Sequence, residues 1–335
     1  MPYTVSLAPH IFARDNTSTL MRDMLIALFP CAAVGVWLFG WNAARVLLLS
    51  IACCVALEML YQKLTRQSVR IGDLSAAVTG ALLALNLPST APWWLVLVGA
   101  LVAVVLVKQL FGGIGHNFIN PALAARAVLL ASWPARLTAT STASAYPLPF
   151  DTVTSATVLG GGAADAVTSA TTHATDAVAS ATQAAGASFI DKVTTMDLFL
   201  GNIPGCIGEV CKVAILLGLI YLLLRKVISW HIPVVMIGTF MLASLLFGAD
   251  PVKAVLSGGV LFAAVFMATD YTTSPMTRTG KCVYAFGAGL IVALIRSFGG
   301  YPEGATYGVL LMNVCAPLID RAIKPRVYGE VKARA

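Results

Sequence analysis

The fold is decided by the stretch Leu110-Phe111-Gly112-Gly113-Ile114-Gly115-His116-Asn117-Phe118-Ile119-Asn120-Pro121, which interrupts a long apolar part of the chain. Asn120-Pro121 breaks one candidate membrane span, and related breaks stand at Asn86-Leu-Pro88 and Ala316-Pro317. Proline inside a span frees backbone carbonyls that must find partners in protein or in a lined cavity. A single proline is most simply a kink, but three at related places favour a lined cavity.

The composition is that of a membrane protein. Of 335 residues, 58% are hydrophobic and only 11% are charged, and the mean hydropathy is +0.84. Soluble domains carry roughly 25% charged residues. The apolar runs are too long for membrane strands and lack their alternation, so the sequence predicts an all-α polytopic membrane protein with about 10 transmembrane helices. The predicted spans are 22–40, 42–62, 73–88, 91–110, 118–133, 207–224, 229–248, 254–269, 282–298 and 304–320.

The basic residues predict the orientation of these spans. Of the 22 lysines and arginines, 15 lie on one side of the predicted spans and 6 on the other, and Arg126 lies within a span. The positive-inside rule places the richer side in the cytoplasm. The +7 net charge is therefore a topology signal, and no basic stripe with interleaved aromatics indicates nucleic acid. The predicted regions are a cytoplasmic N-terminus (1–21), a first membrane half (22–133), an extracytoplasmic loop (134–206), a second membrane half (207–320) and a cytoplasmic tail (321–335).

The chain also repeats itself weakly. Leu74-Ser75-Ala-Ala-Val78 leads a short span, and Leu256-Ser257-Gly-Gly-Val260 leads another. A Phe-Gly-Gly sequence follows a longer span in each half, at Phe111 and at Phe298. The first copy is predicted to start inside and the second outside. An inverted repeat of this kind usually holds a site at its centre that is built by interrupted helices.

The long polar loop contains the pattern Asp-x-x-x-Ser-Ala-Thr three times, ending at Thr157, Thr171 and Thr182. His173 is the only histidine in this segment, so these hydroxyls lack an obvious base and are better substrates for modification than nucleophiles. Alone, such a Ser/Thr/Ala repeat is typical of an unstructured spacer. The pattern nevertheless resembles the acceptor site at which flavin transferases attach FMN through a phosphoester to the last threonine.

Several motifs together resemble one family. Gly112 to Ala127 resembles the G-G-x-G-x-N-x-x-N-P-A-L-x-x-R-A segment shared by RnfD and NqrB, the homologous membrane subunits of the Rnf complex and of the sodium-pumping NADH:quinone reductase. The segments 197–205, 266–275, 298–304 and 311–321 resemble further family motifs in the same order. The short N-terminus and the D-L-F-L-G-N-I-P-G segment from Asp197 favour RnfD.

The resemblance implies flavin cofactors. Covalent FMN is expected on Thr157, which is nearest to Asn120-Pro121 and continues with Val158-Leu159; Thr171 is the fallback, followed by Thr182. An exported, extracytoplasmic flavin transferase would attach it. A second, non-covalent riboflavin is expected near Asn117 and Asn120, because an amide can both donate to and accept from the isoalloxazine edge. The alternative is that each asparagine only satisfies the backbone of a broken helix.

Carboxylates and cysteines supply the remaining candidates. Intramembrane acids are functional hypotheses by default. Glu58 is the preferred ion-pathway residue, with a plain ion pair to nearby Lys63 as its alternative. Asp73, Glu303 and Asp320 are further candidates, and Asp73 and Asp320 stand near the interface. Most of the seven cysteines lie in apolar runs as small core residues. For Cys206 and Cys211 a structural role is favoured over a metal or cluster shared with a partner.

These features predict a function without a catalytic residue. No nucleophile with paired His and Asp, phosphate loop, HExxH or protein metal site is visible. The resemblance implies a bacterial inner-membrane Rnf subunit that relays electrons between ferredoxin and NAD modules on its partners, the A, B, C, E and G subunits, coupled to Na⁺ or H⁺ translocation. On its own the subunit is not expected to be an enzyme. The alternatives are an NqrB-like quinone reductase subunit, and a urea- or ammonium-type channel without a redox cofactor.

Overall fold

The computed structural model describes residues 16–68, 71–141, 154–156, 195–201, 205–299 and 304–324. Its first half begins with two long helices, and shorter ones follow. The elements are α1 (Thr17–Phe39), α2 (Trp41–Leu64), a 3-10 turn (Ile71–Asp73), α3 (Ser75–Leu85), α4 (Trp93–Leu101, continued by a π-helix Val102–Gln109), α5 (Pro121–Ser132) and α6 (Pro134–Thr138). Two short strands follow, β1 (Ala139–Ser141) and β2 (Thr154–Ala156), which pair antiparallel with Ala139 opposite Ala156.

The second half begins with α7 (Thr195–Leu200) and continues through α8 (Lys212–Leu224) and α9 (His231–Leu246). A broken helix follows. It consists of α10 (Pro251–Leu256) and α11 (Val260–Phe262), the latter continued by a π-helix Ala263–Met267. The described chain closes with α12 (Arg278–Phe298) and α13 (Ala305–Ala322). These helices and their apolar surfaces confirm the predicted all-α polytopic membrane fold.

The helix breaks follow from local sequence. Asn120 caps α5 by accepting the backbone N–H groups of Ala122 and Leu123, while Pro121 takes the first helical position. Asp250 caps α10 in the same way, ahead of Pro251. Proline suits that position because the missing N–H would be unsatisfied there in any case. The predicted break at Asn120-Pro121 is therefore a capped helix start and not a kink.

The helices differ in length from the predicted spans. By length and composition α1, α2 and α12 are long and apolar enough to cross a membrane, whereas several other apolar helices have only 10–17 residues. The predicted span 254–269 is wrong as a single helix, because Ser257–Gly259 separate α10 from α11. Similarly, 207–224 becomes helical only at Lys212, and 73–88 stops being helical at Leu85.

The two Leu-Ser copies lie towards opposite ends of the bundle. Ser75 lines a cleft together with Leu20, Lys108 and Tyr271, and we call this end the cleft end. The carbonyl of Ala254, just before the second copy, accepts a hydrogen bond from Arg296 near the far end of α12. This arrangement fits the predicted inverted repeat, in which corresponding short helices enter the bundle from opposite ends.

A substitution at Gly80 tests the close contact between α2 and α3. A Cβ atom there would lie 2.8 Å from Ile51 Cα and 2.9 Å from the Ser50 carbonyl oxygen, and backbone cannot easily move away. We expect Gly80→Ala to destabilise the protein by about 1–3 kcal/mol, as overpacking does. Thermal unfolding of the detergent-solubilised protein measures this. Gly238→Ala is the control, because nothing lies within 4 Å of the corresponding position; equal stability of the two variants would contradict the proposed contact.

Candidate functional site

A cleft enters the bundle at the cleft end and reaches the breaks between helices. Its floor includes Asn120, Pro121 and Ala122 at the start of α5, and its walls include Val78, Thr79 and Leu82 of α3. The segment before α5 contributes Ile114, Gly115 and Asn117, and the turn after the second π-helix contributes Thr269, Asp270, Tyr271 and Thr272. The sequence that interrupts the spans therefore does line a cavity.

Asn117 and Asn120 both line this cleft, but their amides differ. Asn120 is buried, its Oδ1 caps α5, and its Nδ2 donates to the Met267 carbonyl at 3.3 Å. Asn117 Oδ1 is buried and accepts no hydrogen bond from any described residue. A buried acceptor without a partner costs roughly 1–3 kcal/mol. Asn117 is thus the asparagine that is poised to meet a ligand N–H, whereas Asn120 mainly holds the helix start.

Glu58 has a different partner from the predicted Lys63. Its carboxylate pairs with Lys108 Nζ at 2.8 Å, and both side chains are buried. Gln62 Nε2 donates to the other carboxylate oxygen at 3.4 Å, and Lys108 also donates to Ser75 Oγ at 2.7 Å. Lys63 lies exposed. The ion-pair alternative for Glu58 is therefore realised, but with a lysine 50 positions away in the sequence, and that lysine lines the cleft.

A second charged cluster lies where the half-helices end. Arg126 Nη1 pairs with Glu209 at 2.5 Å and donates to Asn86 Oδ1 at 2.6 Å, and all three side chains are buried. Asn86 Nδ2 in turn donates to the Leu82 carbonyl at 2.6 Å. Glu209 belongs to a turn whose backbone is tied to the end of α3, because the N–H of Gly208 donates to Leu85 O at 2.8 Å.

Lys212 completes this central cluster. Its side chain is fully buried, and Nζ donates to the carbonyls of Glu209 and Gly258. Gly259 lies against the Glu209 carboxylate, and a Cβ atom there would overlap Oε1. Two cations and one carboxylate therefore share this buried region. The Lys212 ammonium binds a backbone carbonyl group of the helix break, a place where transporters of inverted-repeat design bind mobile cations.

The remaining predicted residues are placed as follows. Asp73 is half-buried at the 3-10 turn, and Asp320 accepts the backbone N–H of Met276 at 3.1 Å. Cys206 is buried and accepts a hydrogen bond from Arg126 Nη2 at 3.5 Å, and among the described residues no three metal-binding side chains come together. Thr157, Thr171, Thr182 and Glu303 lie outside the described residues.

Sequence reasoning missed Asp270, Glu209 and Lys212 as site residues. Asp270 lines the cleft, and the Thr272 hydroxyl donates to its carboxylate at 3.2 Å. Burial raises the pKa of the Asp270 carboxyl, and hydrogen bonds from Thr272 oppose the rise. Asp270 lies within the family motif of residues 266–275, and that motif is the sequence signal by which it could have been found. Glu209 and Lys212 offered no comparable signal, because their partners are distant in sequence.

The fold and the site define a polytopic membrane protein with interrupted helices, a ligand cleft at one end and a fixed charge cluster between the half-helices. The chain belongs to the NQR2, RnfD, RnfE family, whose model matches residues 4–329.

Named relatives agree with this membership. The D subunit of the Na(+)-translocating ferredoxin:NAD(+) oxidoreductase complex of Acetobacterium woodii is 45% identical over 333 residues, covering 99% of this chain and 96% of the relative. The D subunit of the ion-translocating oxidoreductase complex of Halorhodospira halophila is 40% identical, covering 98% and 96%. The D subunit of the proton-translocating ferredoxin:NAD(+) oxidoreductase complex of Clostridium ljungdahlii is 37% identical, covering 98% of this chain and 96% of the relative. This chain is therefore an Rnf-type membrane subunit.

The Arg126–Glu209 pair gives a test of the central cluster. Arg126→Met leaves a buried carboxylate without its main partner, so we expect a loss of about 3–5 kcal/mol of stability. The double variant Arg126→Met/Glu209→Gln should lose less than the sum of the two single variants, because the pair is coupled. Unfolding in detergent measures both quantities. Lys63→Met is the control, since Lys63 lies exposed and its replacement should cost little. Additive single effects would contradict a coupled pair.

Proposed function

We propose that this subunit relays electrons across the bacterial cytoplasmic membrane between a cleft-bound riboflavin and an FMN esterified to Thr157, within a complex that also contains the A, B, C, E and G subunits. Ferredoxin and NAD sites lie on those partners, and electron flow drives Na⁺ or H⁺ translocation. Both termini and the cleft end face the cytoplasm in this proposal, and the loop 134–206 faces the periplasm. The names of the relatives include sodium- and proton-translocating complexes, so the coupling ion stays open.

The observation that carries the proposal is the buried Asn117 Oδ1 in the cleft, which lacks a partner among the described residues. The pyrimidine edge of isoalloxazine has an N–H between two carbonyl groups, so it supplies the donor that this oxygen needs. The cleft walls of Val78, Leu82 and Ile114 are apolar, as a flavin ring requires. The residues present therefore fit a riboflavin, with Asn117 as its contact and Asn120 as the support of the helix start.

The short strand pair supports Thr157 as the FMN acceptor. β2 ends at Ala156, directly before Thr157, and its pairing with β1 joins this first copy of the motif to the chain that leaves α6. The residue that precedes Thr157 is thus held in a backbone pairing close to the bundle. Thr171 and Thr182 remain the fallbacks. An extracytoplasmic flavin transferase is the required partner, because a threonine hydroxyl does not react with a flavin nucleotide unaided.

The protein's own part in electron transfer is to bind and orient. A flavin supplies one- and two-electron chemistry, which the surrounding protein tunes. Asn117 orients the ring edge, Lys108 and Asp270 set the charge of the cleft, and α3 and α5 exclude water from its floor. No described residue needs to form or break a bond in this role. An NqrB-like role would further require quinone reduction by the assembled complex.

The central cluster argues against the ammonium-type form of the channel alternative. Arg126 and Lys212 place two fixed cations against one carboxylate at the helix breaks, and the Lys212 ammonium occupies the Gly258 carbonyl at 3.1 Å. A fixed cation in a narrow pore repels mobile cations. An ammonium-type conduit through this centre is therefore disfavoured, although the inverted repeat alone suits one.

Covalent flavin is tested by in-gel fluorescence. The subunit is co-expressed with a flavin transferase, denatured and illuminated with ultraviolet light, and a fluorescent band at its position reports bound FMN. We expect Thr157→Ala to abolish the band, because the phosphoester has lost its oxygen, and Thr171→Ala to keep it.

The pattern of these bands separates the outcomes. If only Thr171→Ala abolishes the band, the acceptor assignment is wrong while the relay stands. If the wild-type protein has no band and its intact mass equals that of the bare chain, covalent FMN is absent and the relay is contradicted.

Cleft occupancy is tested by extraction. Acid treatment of the purified complex releases non-covalent flavin, which chromatography identifies as riboflavin. We expect Asn117→Ala to lower this riboflavin at least tenfold, because the ring N–H loses its acceptor, which is worth about 1.4 kcal/mol or more. Asn42→Ala, at the start of α2, is the control and should retain it. An unchanged amount of riboflavin in Asn117→Ala would contradict the assignment of the cleft as its binding site. It would leave the assignment of covalent FMN to Thr157 unaffected.

A further inference from the structure

We propose that Lys108 is the second polar contact of the cleft, donating a hydrogen bond to a carbonyl oxygen of the ring whose N–H meets Asn117. The proposal rests on the proposed function, since it requires an isoalloxazine or a similar cyclic imide in the cleft. It gives Lys108 of the buried ion pair with Glu58 a direct contact with the ring, in addition to its effect on the charge of the cleft. It also changes the role of Glu58 from ion carrier to counter-ion.

The hydrogen bonds of Lys108 leave one donor for a ligand. A lysine ammonium has three N–H groups. One is directed to Glu58 Oε2 at 2.8 Å and another to Ser75 Oγ at 2.7 Å. The side chain is 2% exposed, yet it forms part of the cleft wall. The third N–H is therefore available to a ligand in the cleft that Lys108 lines.

The surroundings of Lys108 fix its position. Breaking a buried ion pair leaves an uncompensated charge, so the pair with Glu58 holds the Lys108 side chain in place. Gln62 supports the carboxylate from the next turn of α2, with Nε2 3.4 Å from Oε1. Lys108 itself lies in the π-helical part of α4. Short π-helical segments are frequent at functional sites. A preorganised donor of this kind is what a binding site requires.

Donor and acceptor in one cleft match one edge of the ring. An imide edge offers an N–H and an adjacent carbonyl, which Asn117 Oδ1 and Lys108 Nζ complement. Reduction increases the negative charge on the ring carbonyls, so the ammonium stabilises the reduced ring more than the oxidised one. The carboxylate of Asp270, the other charged group of the cleft wall, has the opposite effect. Lys108 thereby raises the midpoint potential of the bound flavin.

The test uses Lys108→Met/Glu58→Gln in the assembled complex. This double variant removes the donor while the pair keeps zero net charge, so no buried charge is left alone. We expect affinity for the reduced ring to fall at least tenfold more than affinity for the oxidised ring. That difference equals a lowering of the midpoint potential by about 30 mV for a two-electron couple. Spectroelectrochemical titration of the non-covalent flavin measures it, and exposed Lys63→Met is the matched control with no shift.

The covalent flavin band serves as the check on folding. If the first double variant loses this band, the variant Lys108→Gln/Glu58→Gln is used in its place. Its amide at position 108 can still hydrogen-bond to Ser75, and we expect it to lower the midpoint potential in the same direction. A wild-type complex without riboflavin contradicts the cleft part of the proposed function. Riboflavin that is present with an unchanged potential in the double variant contradicts the role of Lys108 alone and leaves the relay intact.

Discussion

One constraint governs this structure: a helix that ends inside a membrane must satisfy its terminal backbone groups within the protein. The start of α5 meets it through Asn120, whose Oδ1 accepts from Ala122 and Leu123. The end of α3 meets it through Asn86, which bonds Leu82 O, and through the turn at Gly208, whose N–H bonds Leu85 O. The interrupted helices thereby bring polar side chains to the middle of an otherwise apolar bundle.

The central charges follow from the same constraint. Half-helix ends expose partial negative charge at their carbonyl ends, and cations are stabilised there. Arg126 reaches Asn86 at the end of α3, and Lys212 reaches Gly258 O in the break before α11. Glu209 then offsets part of the positive charge through its pair with Arg126. The loop 134–206 returns to the bundle just before Glu209, so the ion pair also anchors the end of the segment that carries the candidate flavin acceptors.

The sequence predicted the breaks at Asn86-Leu-Pro88 and Asn120-Pro121, but the predicted break at Ala316-Pro317 is wrong, because α13 continues through Pro317. Asn-Pro is a local signal, because capping and proline geometry involve only neighbouring residues. The break at Ser257–Gly259 was missed, since two glycines in an apolar run also occur within continuous membrane helices. Lys63 was the expected partner of Glu58 because it is near in sequence. Lys108 is the partner because the packing of α3 and α4 against α2 brings its ammonium there, and no local pattern encodes that contact.

The two charged clusters lie at different places in the molecule, one at the cleft end and one between the half-helices, and they differ in net charge. At the cleft end, the pair of Lys108 and Glu58 is neutral overall and leaves a donor beside an open cleft. Between the half-helices, the cluster of Arg126, Glu209 and Lys212 carries excess positive charge, and its side chains bond each other and the surrounding backbone. Electrons are attracted by fixed positive charge, whereas cations are repelled by it. In the proposed relay, a centre of this kind would favour electron passage through the subunit, and the translocated ion would follow a path elsewhere in the complex.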